Sequence, residues 1–426
     1  MQNEGKLEKN LIDRNMLSHL FQSILIVLLF VQSSTTVLQV TRSYSLNHLM
    51  IPICLLILAI IYSFSERLVV SIKSIVAFLI LILVIFISVI LNPSSTSLFS
   101  EIESTINNYF PIVLLFFVSA FRPKEKESNA FSLLISFGCI ESFIGVLQFM
   151  LKNPIFPTTI DGVSIVSSIY YVPGIGGTGD QSALIGHYFV RASGTMGSGL
   201  GLGVLCLICL SLCYNIKKKR LRIFIETLFC ITIVLTLTGA IIIGLVFYWI
   251  LKFFMSKKIK YNSIIFVLFW FLGLMSQFII DLTPQSVLSL FPTVLSRLNG
   301  IKYYSSLLRF DFLTILFGSN FNNRWASLAN QVYDLNNRFV VDNFFVYNFF
   351  SIGLIGTALI AISQFISTRR VVRPSTINVN LVAVNFSFLA MGFANNITYA
   401  IGIGGIICFF MIGEYNIQGR SQRRYL

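Results

Sequence analysis

Five arginines, Arg191, Arg297, Arg309, Arg324 and Arg338, are the residues of this sequence best suited to chemistry. They lie in or beside two long segments between apolar blocks, about 152 to 193 and 281 to 342, where other positive charge is sparse. Guanidinium grips phosphate oxygens through two parallel donors, so arginines kept on a cation-poor face point to recognition of an anion such as a phosphate group. Pairing with Asp281, Asp311, Asp334 or Asp342, or contact with lipid headgroups, is the structural alternative for each. Arg191 opens "RASGTMGSGLGLG", in which Gly194, Gly197, Gly199, Gly201 and Gly203 remove side-chain bulk. A helix starting near residue 194 would present free N–H donors and partial positive charge beside Arg191, which together make an anion site. The glycines would let another helix, a lipid chain or a substrate approach; small-residue packing explains them equally well, but not the arginine.

A base could come from "VVDNFFVYNFF", where the Asp342 carboxylate and the Asn343 amide stand at the start of an apolar block. There Asp342 could take a proton from a hydroxyl nucleophile, or simply cap a helix. His187 precedes Arg191 by four residues and could share its site, whereas His19 and His48 fall near span ends as structural residues. Glu141, in "GCIESFIGVLQFM", is a carboxylate within an apolar block and should face the bundle interior or a cavity, or pair with a neighbour for structure. The run "PGIGGTGD" fits G-x-G-x-x-G through Gly174, Gly176 and Gly179, but without a βαβ unit around it the segment reads as a loop.

The elements that must position these residues are membrane helices. Of the 426 residues, 55% are hydrophobic and 11% charged, with a mean hydropathy of +0.81. That composition predicts one all-α polytopic membrane domain over 1–426 with no separate soluble domain. A formal charge of +14 could suggest nucleic acid, but the basic residues sit in short runs between apolar blocks, which excludes that reading. Twelve helices are expected, near 18 to 40, 46 to 64, 70 to 91, 105 to 121, 129 to 151, 194 to 214, 221 to 238, 239 to 255, 262 to 280, 343 to 367, 378 to 395 and 397 to 414. With both termini cytoplasmic, only Arg42, Lys152, Arg191, Arg297, Lys302, Arg309, Arg324 and Arg338 of the 31 basic residues face outward, as the positive-inside bias requires. The segments 152–193 and 281–342 are then long outside loops, the second carrying short amphipathic helices that could form a lid. The seven cysteines lack metal-site or disulfide spacing, and the mixed-charge N-terminus lacks a cleavage pattern, so the first span is expected to stay.

With these residues in place, the sequence resembles the O-antigen polymerase and ligase superfamily, which includes Wzy-type polysaccharide polymerases. "RASGTMGSG" is similar to the family's Arg-x-x-Gly entrance to a glycine-rich span, and "LLRFDFLTILFGSNF" to its arginine followed by a loop glycine, here Arg309 and Gly318. "VDNFFVYNFFSIGLIGTALI" resembles the opening of the span after the large periplasmic loop. Two departures stand out: "TLTGAIII" lacks the Ser-Arg that many relatives carry, and Asp342 stands where ligases have histidine, which favours a polymerase. The resemblance implies a GT-C-like fold in the bacterial inner membrane, with its large periplasmic loop between helices 9 and 10. It implies a metal-independent glycosyltransferase without cofactor, acting on undecaprenyl-diphosphate-linked oligosaccharide, with the lipid bilayer and a chain-length regulator as partners. Arg191 and Arg309, with Arg297 or Arg338, would meet the departing diphosphate and Asp342 would be the base. His187, Asn343, Gly194 and Gly197 would line the substrate site, and the glycine-faced sixth span would line a groove for prenyl lipid. A lipid-linked oligosaccharide flippase and an O-antigen ligase are the alternatives.

Overall fold

The computed structural model describes residues 69–94, 97–122, 130–156, 159–160, 163–164, 170–172, 176–177, 189–256, 263–276, 292–308, 311–329, 341–371 and 379–408. The spans expected at 18 to 40 and 46 to 64 lie outside these residues, and a helix occupies part or all of each of the other ten. In chain order the helices are α1 (Ile72–Leu91), α2 (Leu98–Asn108), α3 (Phe110–Ala120), α4 (Ala130–Leu151), α5 (Gly199–Leu212), α6 (Lys219–Leu235) and α7 (Gly239–Ser256). They continue as α8 (Ser263–Leu274), α9 (Pro292–Leu307), α10 (Phe312–Phe317), α11 (Phe321–Ala329), α12 (Phe344–Val371), α13 (Val379–Gly392) and α14 (Thr398–Cys408). Among the described residues, α1, Phe131–Leu151 of α4 and Phe344–Thr368 of α12 are long and apolar enough to cross a membrane; α5, α7, α8, α13 and α14 are shorter apolar helices. Local chemistry sets several starts. Ser71, Ser97, Ser198, Asp311 and Asn343 each accept, on a side-chain oxygen, the N–H three residues further on, which satisfies a donor the helix cannot pair itself.

Helix α5 forms the centre. Nearly all of it is buried, as are Leu381–Gly392 of α13 and Ala400–Cys408 of α14. Helices α4, α6, α7 and α13 pack around α5, and α7 lies along α13. A Cβ added at Gly203 would lie 2.6 Å from Ile241 of α7, so the glycine lets these two helices close. On α1, Leu81, Val84, Ile85 and Ser88 face inward, while Leu79, Leu83, Phe86 and Ile90 form an exposed stripe. Such stripes recur on α4, α6, α7 and α8, and apolar surface of that extent suits lipid rather than water. A second apolar cluster joins Ile301 and Tyr304 of α9, and Leu308 just after it, to Phe321 and Leu328 of α11 and to Val346 and Phe350 of α12.

The segment expected as an outside loop at 152–193 contains short antiparallel strands, a departure from an all-α chain. Thr159–Ile160 (β3) pairs with Val163–Ser164 (β4), and Tyr170–Val172 (β5) lies between Gly176–Gly177 (β6) and Phe189–Val190 (β7). Gly176 of the G-x-G-x-x-G run is thus paired in a hairpin, not placed at the turn into a helix. Val69–Val70 (β1) pairs with Phe121–Arg122 (β2), tying the start of α1 to the end of α3.

Helix α12 is broken. Gly353 has φ 65° and ψ −170°, and the loop glycine Gly318, at φ 90°, lies against it. A Cβ on Gly318 would sit 2.6 Å from Gly353 N. Alanine at either position meets both a left-handed backbone, costing roughly 1–2 kcal/mol, and another strand of backbone. Gly318→Ala and Gly353→Ala are therefore expected to lower the thermal midpoint of the detergent-solubilised protein by about 2 °C or more, whereas Gly239→Ala, where a Cβ meets nothing within 4 Å, leaves it unchanged.

Candidate functional site

Arg191 emerges from β7, half-buried, into a turn that α4 holds by its side chains. Glu141, Gly145 and Gln148, spaced at i, i+4 and i+7, share one face of α4. Gln148 Oε1 accepts from Ser193 N at 3.0 Å, Ser193 Oγ at 3.3 Å and Gly194 N at 2.8 Å. Its Nε2 donates to Gly194 O at 3.0 Å and Pro154 O at 2.7 Å. The Glu141 carboxylate accepts from Thr195 N and from Thr195 Oγ1, both at 2.7 Å. Between them Gly145 makes room, since a Cβ there would lie 3.2 Å from the Cβ of Ala192. Ala192 N donates to Leu235 O at 3.0 Å, fastening the same turn to the end of α6. Glu141 is 3% exposed and Gln148 1%. The interior placement expected for Glu141 holds, and its oxygens are met by N–H and O–H donors.

This geometry corrects the expected helix start. Gly194 and Gly197 have φ of 57° and 66°, outside the helical range, so they build a turn and α5 begins only after the Ser198 cap. Arg191 therefore stands eight residues ahead of α5 in the sequence, and not at its first turn. Two of the glycines expected to line a lipid groove meet protein: Gly199 packs against Thr236 and Thr238, and Gly203 against Ile241.

A second polar centre lies where α1, α2, α11 and α12 meet. Glu101, 1% exposed, accepts from Ser94 N at 2.8 Å, Ser94 Oγ at 2.7 Å and Asn320 Nδ2 at 2.7 Å. Asn323 Nδ2 donates to Glu101 O at 3.0 Å and Thr105 Oγ1 at 2.8 Å, and Asn92 Nδ2 to Gly318 O at 3.2 Å. Carbonyls at the α12 break are also used: Ser319 N donates to Phe350 O and Ser88 Oγ to Ser351 O, each at 2.7 Å. Arg324 donates to Asn92 Oδ1 at 3.2 Å and Ser319 O at 3.4 Å. Burial pulls its pKa below the ordinary arginine value, and the nearby Glu101 charge pushes back. Arg324 is thus tied to Asn92 and Ser319, partners other than the aspartates and headgroups expected for it. The short helices expected within 281–342 are present as α9, α10 and α11, but Gly318–Arg324 is bolted into the bundle and does not hang over it as a free lid.

Asp342 is half-buried. The capping role weighed for it belongs to its neighbour: Asn343 Oδ1 accepts from Val346 N at 3.0 Å, and Asn343 Nδ2 donates to Ser276 Oγ at 3.2 Å. The Asn343 amide, expected to touch substrate, is committed to holding α12 and the residues after α8. Arg297 belongs to α9, its side chain outside the described residues; His187, Arg309 and Arg338 also lie outside them. Among the described residues no cluster of His, Cys, Asp or Glu is spaced to hold a metal ion. No protein-family profile, curated protein or solved structure matches this chain.

Sequence reasoning missed Glu101 and Gln148. Gln148 was detectable, because "ESFIGVLQ" places two polar residues and a glycine on one face of an apolar helix. Glu101 accepts donors from Ser94 and Asn320, so Glu101→Leu leaves buried donors unpaired at about 1–3 kcal/mol each. Trypsin cleavage within 318–329 in reconstituted vesicles is expected to accelerate roughly tenfold or more in that variant, and an unchanged rate would show that Glu101 does not hold the segment.

Proposed function

We propose that this chain is a polysaccharide polymerase, joining undecaprenyl-diphosphate-linked oligosaccharide repeat units at the periplasmic face of the bacterial inner membrane. The observation that carries the reading is the separation of charge between the two ends of the bundle. At one end stand Arg122, Lys217–Arg220, Arg222 and Lys252; at the other, Arg191 and Arg324 sit among buried, hydrogen-bonded turns. The positive-inside bias makes the first end cytoplasmic, which orients Arg191 outward. The twelve-span count and a GT-C-like arrangement belong to the same proposal.

In this mechanism a hydroxyl at the non-reducing end of one lipid-linked unit attacks the anomeric carbon of the growing chain. The glycosidic bond to undecaprenyl diphosphate breaks and that lipid diphosphate leaves. Arg191 and Arg309, with Arg297 or Arg338, offset the charge developing on the leaving group, where a preorganised cation lowers the barrier most. Asp342 accepts the proton of the attacking hydroxyl. A flippase would need charged side chains lining a passage through the spans. Among the described residues the buried charged side chains are Glu101 and Glu141, both satisfied by hydrogen bonds to turns, which favours the polymerase.

Glycans of a deletion strain test the assignment. A core bearing a single repeat unit is expected; no repeat at all indicates a ligase, and lipid-linked units held inside the cell indicate a flippase. Arg191→Ala and Arg309→Ala are expected to abolish chain extension with normal membrane insertion, and long-chain polysaccharide in both variants would remove them from the mechanism.

A further inference from the structure

We propose that Glu141 and Gln148 are positioning residues that fix the Arg191 guanidinium for the leaving diphosphate, acting through the backbone of Ser193–Thr195; the inference rests on the role given to Arg191 above. On one side of Arg191, Val190 is paired with Tyr170. On the other, Ala192 N is held by Leu235 O, and Gln148 and Glu141 take the polar groups of the next three residues. The chain is thus pinned immediately before and after the arginine, at a point where Gly194 and Gly197 would otherwise leave it free to swing. Stabilising developing charge demands that a donor already be in place, and a displacement of 1 Å costs about 100-fold in rate.

Glu141 is also a carboxylate inside an apolar helix, which invites a role in proton transfer. The geometry assigns it otherwise. Both carboxylate oxygens receive donors from Thr195, and the side chain is 3% exposed. Glutamine can reproduce this arrangement: its oxygen accepts from Thr195 N, and its amide donates to Thr195 Oγ1, since a hydroxyl works in either direction. Gln148 tolerates less, because its amide both accepts and donates here. Gln148→Glu removes the donor to Gly194 O and Pro154 O and places a carboxylate against two carbonyls.

The test uses the full chain in proteoliposomes, with lipid-linked repeat units extracted from the deletion strain as substrate. Glu141→Ala and Gln148→Glu are expected to lower kcat by about 100-fold with little change in KM, and Glu141→Gln to stay within about threefold of the parent. A second readout needs no activity: an Arg191→Cys reporter should be alkylated by a membrane-impermeant maleimide roughly tenfold faster when Glu141→Ala or Gln148→Glu is added. Loss of activity in Glu141→Gln equal to that in Glu141→Ala would overturn the proposal in favour of proton transfer. Unchanged alkylation would also overturn it. A parent protein that extends no chain refutes the polymerase instead, and the alkylation rates still decide whether the turn is held.

Discussion

Hydrocarbon offers no hydrogen bonds, so every peptide group that leaves a helix inside a membrane bundle must find a partner in the protein. That constraint shapes the two irregular passages of this molecule. At Ser193–Thr195 the backbone turns on left-handed glycines, and its N–H groups go to Gln148 and Glu141. At Gly318–Asn320 a second turn meets the broken helix at Gly353, with Ser88, Asn92 and Glu101 completing the bonds. Each passage is irregular because glycine permits it, and ordered because a neighbouring helix supplies side chains.

The same constraint explains where charge is spent. Glu101 and Glu141 are surrounded by amide and hydroxyl donors, which satisfy the oxygens of a buried carboxyl group. They act as clamps on backbone. Arg324, drawn into the Glu101 network, braces the same turn from the other side. Arg191 stands half-buried on the clamped turn, and it is the residue proposed to meet an anion.

Much of the helical framework was legible in the sequence because apolar blocks flanked by basic runs are a local signal. The expected break between spans seven and eight appears, with α7 beginning at Gly239, and Glu141 faces inward as a carboxylate in an apolar block should. What escaped depended on partners remote in sequence. Whether "GTMGSG" continues a helix or turns is decided by φ at Gly194 and Gly197, which composition does not encode, and by Gln148, 46 residues away from Gly194. Glu101 lies in a polar helix, and its partner Asn320 is 219 residues further along. At the start of α12 the two adjacent residues Asp342 and Asn343 are equally good caps, and only the three-dimensional frame selects Asn343. The family resemblance rests on short motifs, and the matching geometry it implies for Arg309, Arg338 and His187 lies outside the described residues.

The central claim is that the end of the bundle bearing the clamped Arg191 turn receives a prenyl diphosphate. A cryo-electron microscopy map of the protein in lipid nanodiscs with undecaprenyl diphosphate addresses it most directly. The account predicts diphosphate density within hydrogen-bonding distance of the Arg191 guanidinium, on the side of the molecule formed by residues 97–109, 191–198 and 318–329. Diphosphate density beside Lys217–Lys219 and Lys252 at the opposite end, with none near Arg191, would contradict it.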